Sequence, residues 1–185
     1  MKMKRILPLL LVLALALSAC TAAPKAPDKD EVSDKVEALS PEDWAAAYTA
    51  AIRSARDDEM NEYFPVTTQV TGFSDDVEEE MTLTMLGFPK EDAECYAISM
   101  SLMNVSAYAI VAVLPVEGKE ETVKTGLENY IDAQKGSFEH YLEDQYEIAA
   151  SAKLEKLDDG TLLLVMCEGQ DEVFRTIKTA VTQDK

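Results

Sequence analysis

Cys95-Tyr96-Ala97-Ile98-Ser99-Met100-Ser101-Leu102-Met103, then Asn104-Val105-Ser106, then Tyr108-Ala109-Ile110-Val111-Ala112-Val113-Leu114-Pro115-Val116: this stretch decides the fold. In the first run Tyr96, Ile98, Met100 and Leu102 alternate with Ala97, Ser99 and Ser101, the period-two pattern of a strand with one buried face. The second run is apolar at consecutive positions, as in a central strand covered on both sides. Asn104-Val105-Ser106 turns the chain between them, so the pair reads as a hairpin.

Outward from this hairpin the period changes to that of helices. Gly118 to Phe138 places Val123, Leu127, Ile131 and Phe138 along one side, with Tyr130 and Gln134 flanking. Tyr141-Leu142 and Tyr146 to Ala150 form a second, shorter helical piece. A second hairpin follows: Lys153–Leu157 and Thr161–Cys167 flank the turn Asp158-Asp159-Gly160. Gln170 to Val181 closes the chain as a helix with Val173, Ile177, Ala180 and Val181 on one face.

On the N-terminal side, Ser74 to Leu86 reads as a helix capped by Ser74 or Asp75, with Val77, Met81 and Met85 on a shared face and Gly87 ending it. Residues 59–73 are broken by Pro65 and Gly72, and Val66 to Thr71 fits a short extended piece. Ser40-Pro41-Glu42-Asp43 starts a helix in which Trp44, Tyr48, Ala51, Ile52 and Ala55 recur at helical spacing, fading by Asp57 or Asp58. The order α, α, β, β, α, α, β, β, α predicts an α+β two-layer sandwich: a four-stranded, mostly antiparallel sheet from two hairpins with helices packed on it. Residues 108–116 and 161–167 are the expected central strands, and the alternating run from Cys95 an expected edge.

The first 39 residues have a different composition. Lys2, Lys4 and Arg5 precede an uncharged run from Ile6 to Leu17, a positive segment followed by an apolar one of signal-peptide length. The run is shorter than the roughly 20 residues a spanning helix needs, and Pro8 interrupts it. Leu17-Ser18-Ala19-Cys20 resembles the bacterial lipobox, where small residues before the cut fit the peptidase and the thiol takes a diacylglycerol; several acyl chains, palmitate among them, then anchor the chain. The expected organisation is a signal peptide over 1–19, a lipidated Cys20 and flexible tether over 20–39, and one domain over 40–185. Ala22 to Pro27 is small and Pro-containing and Asp28 to Glu37 mostly charged, so the tether has no face to bury.

Charge bounds the partners. The chain carries 35 Asp plus Glu against 17 Lys plus Arg, a net −18, and loss of residues 1–19 removes three positive charges and no acid, giving −21. That excludes a phosphate-binding basic face, hence nucleic acid, and docking through a polybasic patch on anionic lipid. The expected location is the outer face of the cell membrane, held by the lipid anchor, with a protein or cell-wall partner and no cofactor.

Three segments carry a resemblance: Tyr96-Ala-Ile-Ser-Met-Ser-Leu-Met-Asn-Val-Ser-Ala107, Gln134-Lys-Gly-Ser-Phe-Glu-His-Tyr-Leu142 and Gln145-Tyr-Glu-Ile-Ala149. Together they resemble a family of small lipoproteins of Gram-positive anaerobes that carry a C-terminal domain of unknown function, over about residues 75 to 182. The resemblance implies a lipobox, a short polar tether and an extracytoplasmic domain, and it implies no chemistry.

Candidate sites are few. His140 is the one histidine, so any Ser- or Cys-type hydrolase site has to use it as base; the plainer reading is a solvent-facing residue near a helix end. One histidine also leaves too few ligands for a His-rich zinc site. Cys95 and Cys167 pair as a disulfide, stay as buried thiols, or include a reactive thiol; an intervening strand argues against the disulfide. Asp75, Asp76, Glu78, Glu79 and Glu80 form the densest acid cluster but lack the calcium-loop pattern, and acids at a helix start are favourable in themselves. Asp158-Asp159 is explained by its turn, and Tyr130, Phe138, Tyr141 and Tyr146 by the junction of two helices. The reading is a membrane-anchored, non-enzymatic binding or accessory domain. The alternative is a small cell-envelope hydrolase using His140 or an acidic pair, and a two-lobed solute-binding protein needs a longer chain.

Overall fold

The computed structural model describes residues 39–70 and 76–183. The expected signal peptide, the lipobox residues Leu17, Ser18, Ala19 and Cys20, most of the tether, and the capping residues Ser74 and Asp75 lie outside them. Helix α1 (Pro41–Ser54) begins where Ser40 accepts a hydrogen bond from the Asp43 amide (3.2 Å) and Pro41 occupies the first turn. Helix α2 (Asp58–Tyr63) and strand β1 (Thr67–Val70) fill the segment that Pro65 breaks. Helix α3 (Val77–Leu86) starts at Asp76 and stops at Gly87, whose φ of 80° is left-handed. Strands β2 (Ala93–Met100) and β3 (Ala109–Pro115), helices α4 (Glu120–Phe138) and α5 (Glu143–Ala150), strands β4 (Lys153–Lys156) and β5 (Leu162–Met166), and helix α6 (Gln170–Gln183) complete the order.

The sheet is antiparallel throughout, in the order β1-β2-β3-β5-β4. Both expected hairpins form, with Ile98 opposite Val111 and Leu154 opposite Leu164. Residues 108–116 and 161–167 are central as expected. Three expectations need correction. The sheet has five strands rather than four, because β1 pairs with β2 from Thr67 opposite Ile98 to Val70 opposite Cys95. Strand β2 is therefore internal, not an edge, and Ser99, read as exposed, is buried. Nor is the sandwich two-layered: each sheet face carries a core of its own. Tyr96, Ile98, Val111, Val113, Leu162 and Leu164 pack under α3, α4 and α5. Cys95, Ala97, Ile110, Ala112, Leu163 and Val165 pack under α1 and α6, against Trp44, Tyr48, Ile52 and Ile177. The alternation read as apolar against small polar is in fact apolar against small residues that let α1 approach closely.

A further correction concerns α3. Val77, Met81 and Met85 do share a face, but it is the outer one: Val77 is 77% exposed, and Glu79, Leu83 and Leu86 point inward instead. The inner face is set by a contact a side chain would block. A Cβ on Gly126 of α4 would stand 2.5 Å from the Gly87 carbonyl oxygen, so two glycines bring the end of α3 onto the middle of α4.

Candidate functional site

Two side-chain networks and one groove gather the polar and exposed apolar residues that the fold does not consume. The first network lies between α3 and the sheet. Glu79 is buried, accepts the Tyr96 hydroxyl and a Gln69 Nε2 hydrogen bond (3.2 Å), and faces Lys90 Nζ at 3.5 Å. Burial and the Glu79 carboxylate together push the Tyr96 phenol well above its ordinary range, so the hydroxyl stays a donor. Hollows of about 320 and 480 Å³ lie on either side of Glu79.

The second network lies at the β2–β3 hairpin end, where α1 has just stopped. Arg56 Nη1 donates to the Phe64 carbonyl (3.0 Å), Ser99 Oγ (2.7 Å) and Tyr108 Oη (2.5 Å), and Nη2 donates to Asn61 Oδ1 (2.7 Å). Ser99 also donates to the Phe64 carbonyl (2.8 Å), and Phe64 stacks on Tyr108 with ring centroids 4.0 Å apart. Burial raises the Tyr108 phenol, and its hydrogen bonds to Arg56 and Ser99 oppose that shift. One guanidinium thus fixes the α2–β1 linker and a sheet tyrosine in a single arrangement.

That arrangement walls a groove. A hollow of about 410 Å³ opens between α2, the β2–β3 turn and α5. Its apolar lining includes Met60, Phe64, Tyr108 and Ile148, and its rim carries Tyr63 (66% exposed), Met103 (57%) and Val105 (57%). Gln145 of α5 ties the far wall to the hairpin by accepting from the Ala107 amide (2.8 Å). A second hollow of about 370 Å³ shares Met60, Tyr108 and Glu168 with it and reaches Arg56 and Cys167. Large side chains left exposed around a concave surface mark a place where something else docks.

The residues singled out from sequence lie mostly elsewhere. His140 follows α4, its side chain 90% exposed, with Glu139 at 4.0 Å. The nucleophile and orienting partner that a hydrolase needs are not beside it among the described residues. Cys95 and Cys167 are both free and buried, at opposite ends of the sheet with β3 between their strands, so the pair is not a disulfide. Burial pushes the Cys95 thiol up to about 12 and the Cys167 thiol to about 11, which removes the thiolate needed for reactivity. No group of three or more metal-ligating side chains occurs among the described residues. Asp159 accepts from the Thr161 amide (2.9 Å) within the β4–β5 turn, as read. Tyr130 and Phe138 fill the helical junction and Tyr146 packs against it, whereas Tyr141 is exposed. No helix of the described residues is long and apolar enough to cross a membrane.

Residues 67–167, from β1 to the end of β5, match the domain of unknown function DUF4358. The chain belongs to this family. The DUF4358 span contains all five strands, the Glu79 network, and Ser99, Met103, Val105 and Tyr108 of the groove. Arg56, Met60, Tyr63 and Phe64 precede it, so the groove is built jointly by the DUF4358 span and the helices before it. Neither a curated protein nor a solved structure matches the chain.

Proposed function

We propose that this DUF4358 protein is a lipid-anchored extracytoplasmic binding or accessory domain, not an enzyme. The groove between α2, the β2–β3 turn and α5 supports the binding role: a rigid apolar surface left open to solvent. Lys2, Lys4 and Arg5, the apolar run from Ile6 to Leu17, and Leu17-Ser18-Ala19-Cys20 support the anchor. Acyl chains on Cys20 hold the domain at the outer face of the cell membrane, and the acidic surface keeps nucleic acid and other polyanions away. A protein or cell-wall component is the partner class, and no cofactor is called on.

Two measurements test this. Mass spectrometry of the N-terminus from the membrane fraction is expected to show acylated Cys20, and Cys20→Ala is expected to leave the chain with residues 1–19 attached. An intact, unacylated Met1 chain as the mature species overturns the anchor. A photo-crosslinking residue at position 105 in intact cells is expected to form discrete adducts that the same residue at exposed Val77 does not form. Equal labelling at both positions removes the binding role.

A further inference from the structure

We infer that the groove receives a basic segment of a partner protein, with large apolar side chains seated in the hollow and Lys or Arg on either side of them. The inference rests on the binding role proposed above and names its chemistry.

Charge carries it. The two helices that flank the hollow hold acids and no bases: Asp58, Glu59 and Glu62 on α2, and Glu143, Asp144 and Glu147 on α5. Glu168 adds another carboxylate to the lining. None of these acids takes part in an ion pair among the described residues. The ion pairs of exposed acids lie on other elements, as in Lys124–Glu128 (3.8 Å), Lys135–Asp132 (3.0 Å), Lys153–Asp171 (2.7 Å) and Lys156–Glu120 (2.5 Å). Arg56 sets one positive charge against these seven acids, and its guanidinium is turned inward onto four neutral acceptors. An apolar floor between two unmatched acidic helices repels an anionic wall polymer or anionic lipid, and a cationic segment relieves the repulsion it meets there.

The groove is also pre-formed. Arg56, the Phe64–Tyr108 stack and the Gln145–Ala107 hydrogen bond hold its walls, so little ordering is lost on docking. The rim side chains Tyr63, Met103 and Val105 offer aromatic and flexible apolar contact, as at adaptable docking surfaces.

The test uses the full chain in phosphatidylcholine nanodiscs and fluorescein-labelled peptides read by anisotropy. The probes are a Leu-Phe-Leu core flanked by lysines, the same core flanked by glutamates, and a serine core flanked by lysines. The lysine-flanked apolar probe is expected to bind, and to weaken steeply as salt is raised. Met103→Ser with Val105→Ser is expected to weaken it about tenfold or more, and Glu59→Lys with Glu168→Lys to transfer preference to the glutamate-flanked probe. Val77→Ser is expected to change neither. All these positions are exposed or on the rim, and an unchanged melting temperature checks the fold of each variant. The inference is overturned if both apolar probes bind alike, if the serine-core probe binds as well as the apolar one, or if the rim variants leave affinity unchanged. It is equally overturned if a fluorophore on Val105→Cys is buried in the nanodisc surface without peptide, since the groove then faces lipid. Failure of the probes with persistent crosslinks at position 105 means that the partner has other chemistry. Failure of both removes the binding role as well.

Discussion

On each face of the sheet a charged side chain meets a tyrosine, a buried Glu79 on one and a half-buried Arg56 on the other, and the two do different work. Under α3 the charge is Glu79, it carries a counter-ion in Lys90, and Tyr96 donates to it. At the hairpin end the charge is Arg56, it has no carboxylate partner among the described residues, and Tyr108 accepts from it. The Glu79 network joins one helix to the sheet beneath it. The Arg56 network joins four separate pieces of chain: the end of α1, Asn61 of α2, the Phe64 linker and the two hairpin strands. A carboxylate whose counter-ion stands 3.5 Å away tolerates small shifts of either partner. A guanidinium whose two Nη groups meet four neutral acceptors in a fixed fork does not. The α3 side is therefore pinned, and the hairpin side is pre-organised.

Breaking the α3 side at its closest contact gives the largest effect. Gly126→Ala places a methyl group against the backbone of Gly87 and Leu86, which cannot yield as a flexible side chain does. α3 has to lift away from α4 and take Glu79 from Tyr96. A loss of about 3 kcal/mol is expected in urea unfolding. Retained stability would show that α3 is loosely held and that the comparison overstates its fixing.

On the other side, Arg56→Leu leaves Ser99, Tyr108 and the Phe64 carbonyl without their shared donor, at a cost of about 2–4 kcal/mol. Arg56→Lys is expected to recover less than half of that loss, because one ammonium cannot span Asn61 and Tyr108 together. Full recovery by lysine would mean that charge alone is needed and that the planar fork is incidental. Glu79→Gln is smaller, about 1–2 kcal/mol, since the amide keeps an acceptor for Tyr96 while losing the attraction to Lys90 and the acceptor for Gln69 Nε2.

The thiols sharpen the comparison without breaking either side. Burial is the main cause of both shifts; Glu94 and Glu42 add to it at Cys95, while Arg56 opposes it at Cys167. With folded values raised to about 12 and about 11, above the ordinary value of 9.0, the protonated thiols favour the fold below pH 9. That contribution is lost as pH climbs through 11 and 12. Site-resolved alkylation followed against pH is expected to label Cys167 at lower pH than Cys95. Arg56→Leu is expected to delay Cys167 and leave Cys95 where it was. Labelling of Cys95 first would reverse the assigned role of Arg56.

Much of the fold was legible because periodicity and punctuation agreed. Ser40-Pro41, Gly87 and Asp158-Asp159-Gly160 mark ends and turns by backbone chemistry that tertiary contacts did not override. β1 was hard to read because four residues of Thr, Gln and Val carry almost no pattern, and its partner β2 was then taken for an edge. α3 misled because burial of its inner face rests on Gly126, some forty residues away, and on a carboxylate that propensity places in water. The groove was missed altogether, although it left one trace in the sequence: Leu102, Met103 and Val105 are apolar around a turn, where solvated residues are the norm. Arg56 left none, since an arginine at a helix end is ordinary until its acceptors are seen to come from four places.

The smallest effect on stability separates the two exposed apolar patches. Val77, Met81 and Met85 stripe the outer side of α3, and Tyr63, Met103 and Val105 rim the groove. Neither set packs into a core, so serine at Val77 or at Val105 is expected to change unfolding free energy by less than about 0.5 kcal/mol. The two still differ in what surrounds them. The α3 stripe runs along one convex helix, whereas the rim residues close over a hollow whose walls Arg56 and Gln145 fix. A convex stripe presents contact area alone, but a walled hollow also excludes water from whatever enters it, which is where binding energy concentrates. Solvent-relaxation measurements on a fluorophore at position 77 or 105, each introduced as cysteine, are expected to report a drier and more rigid environment at 105. Arg56→Lys is expected to abolish the difference by loosening the wall while leaving position 77 unchanged. Equal mobility at both positions in the unsubstituted chain would mean that the groove is no more organised than the stripe, and the pre-organisation assigned to the hairpin end would fall with it.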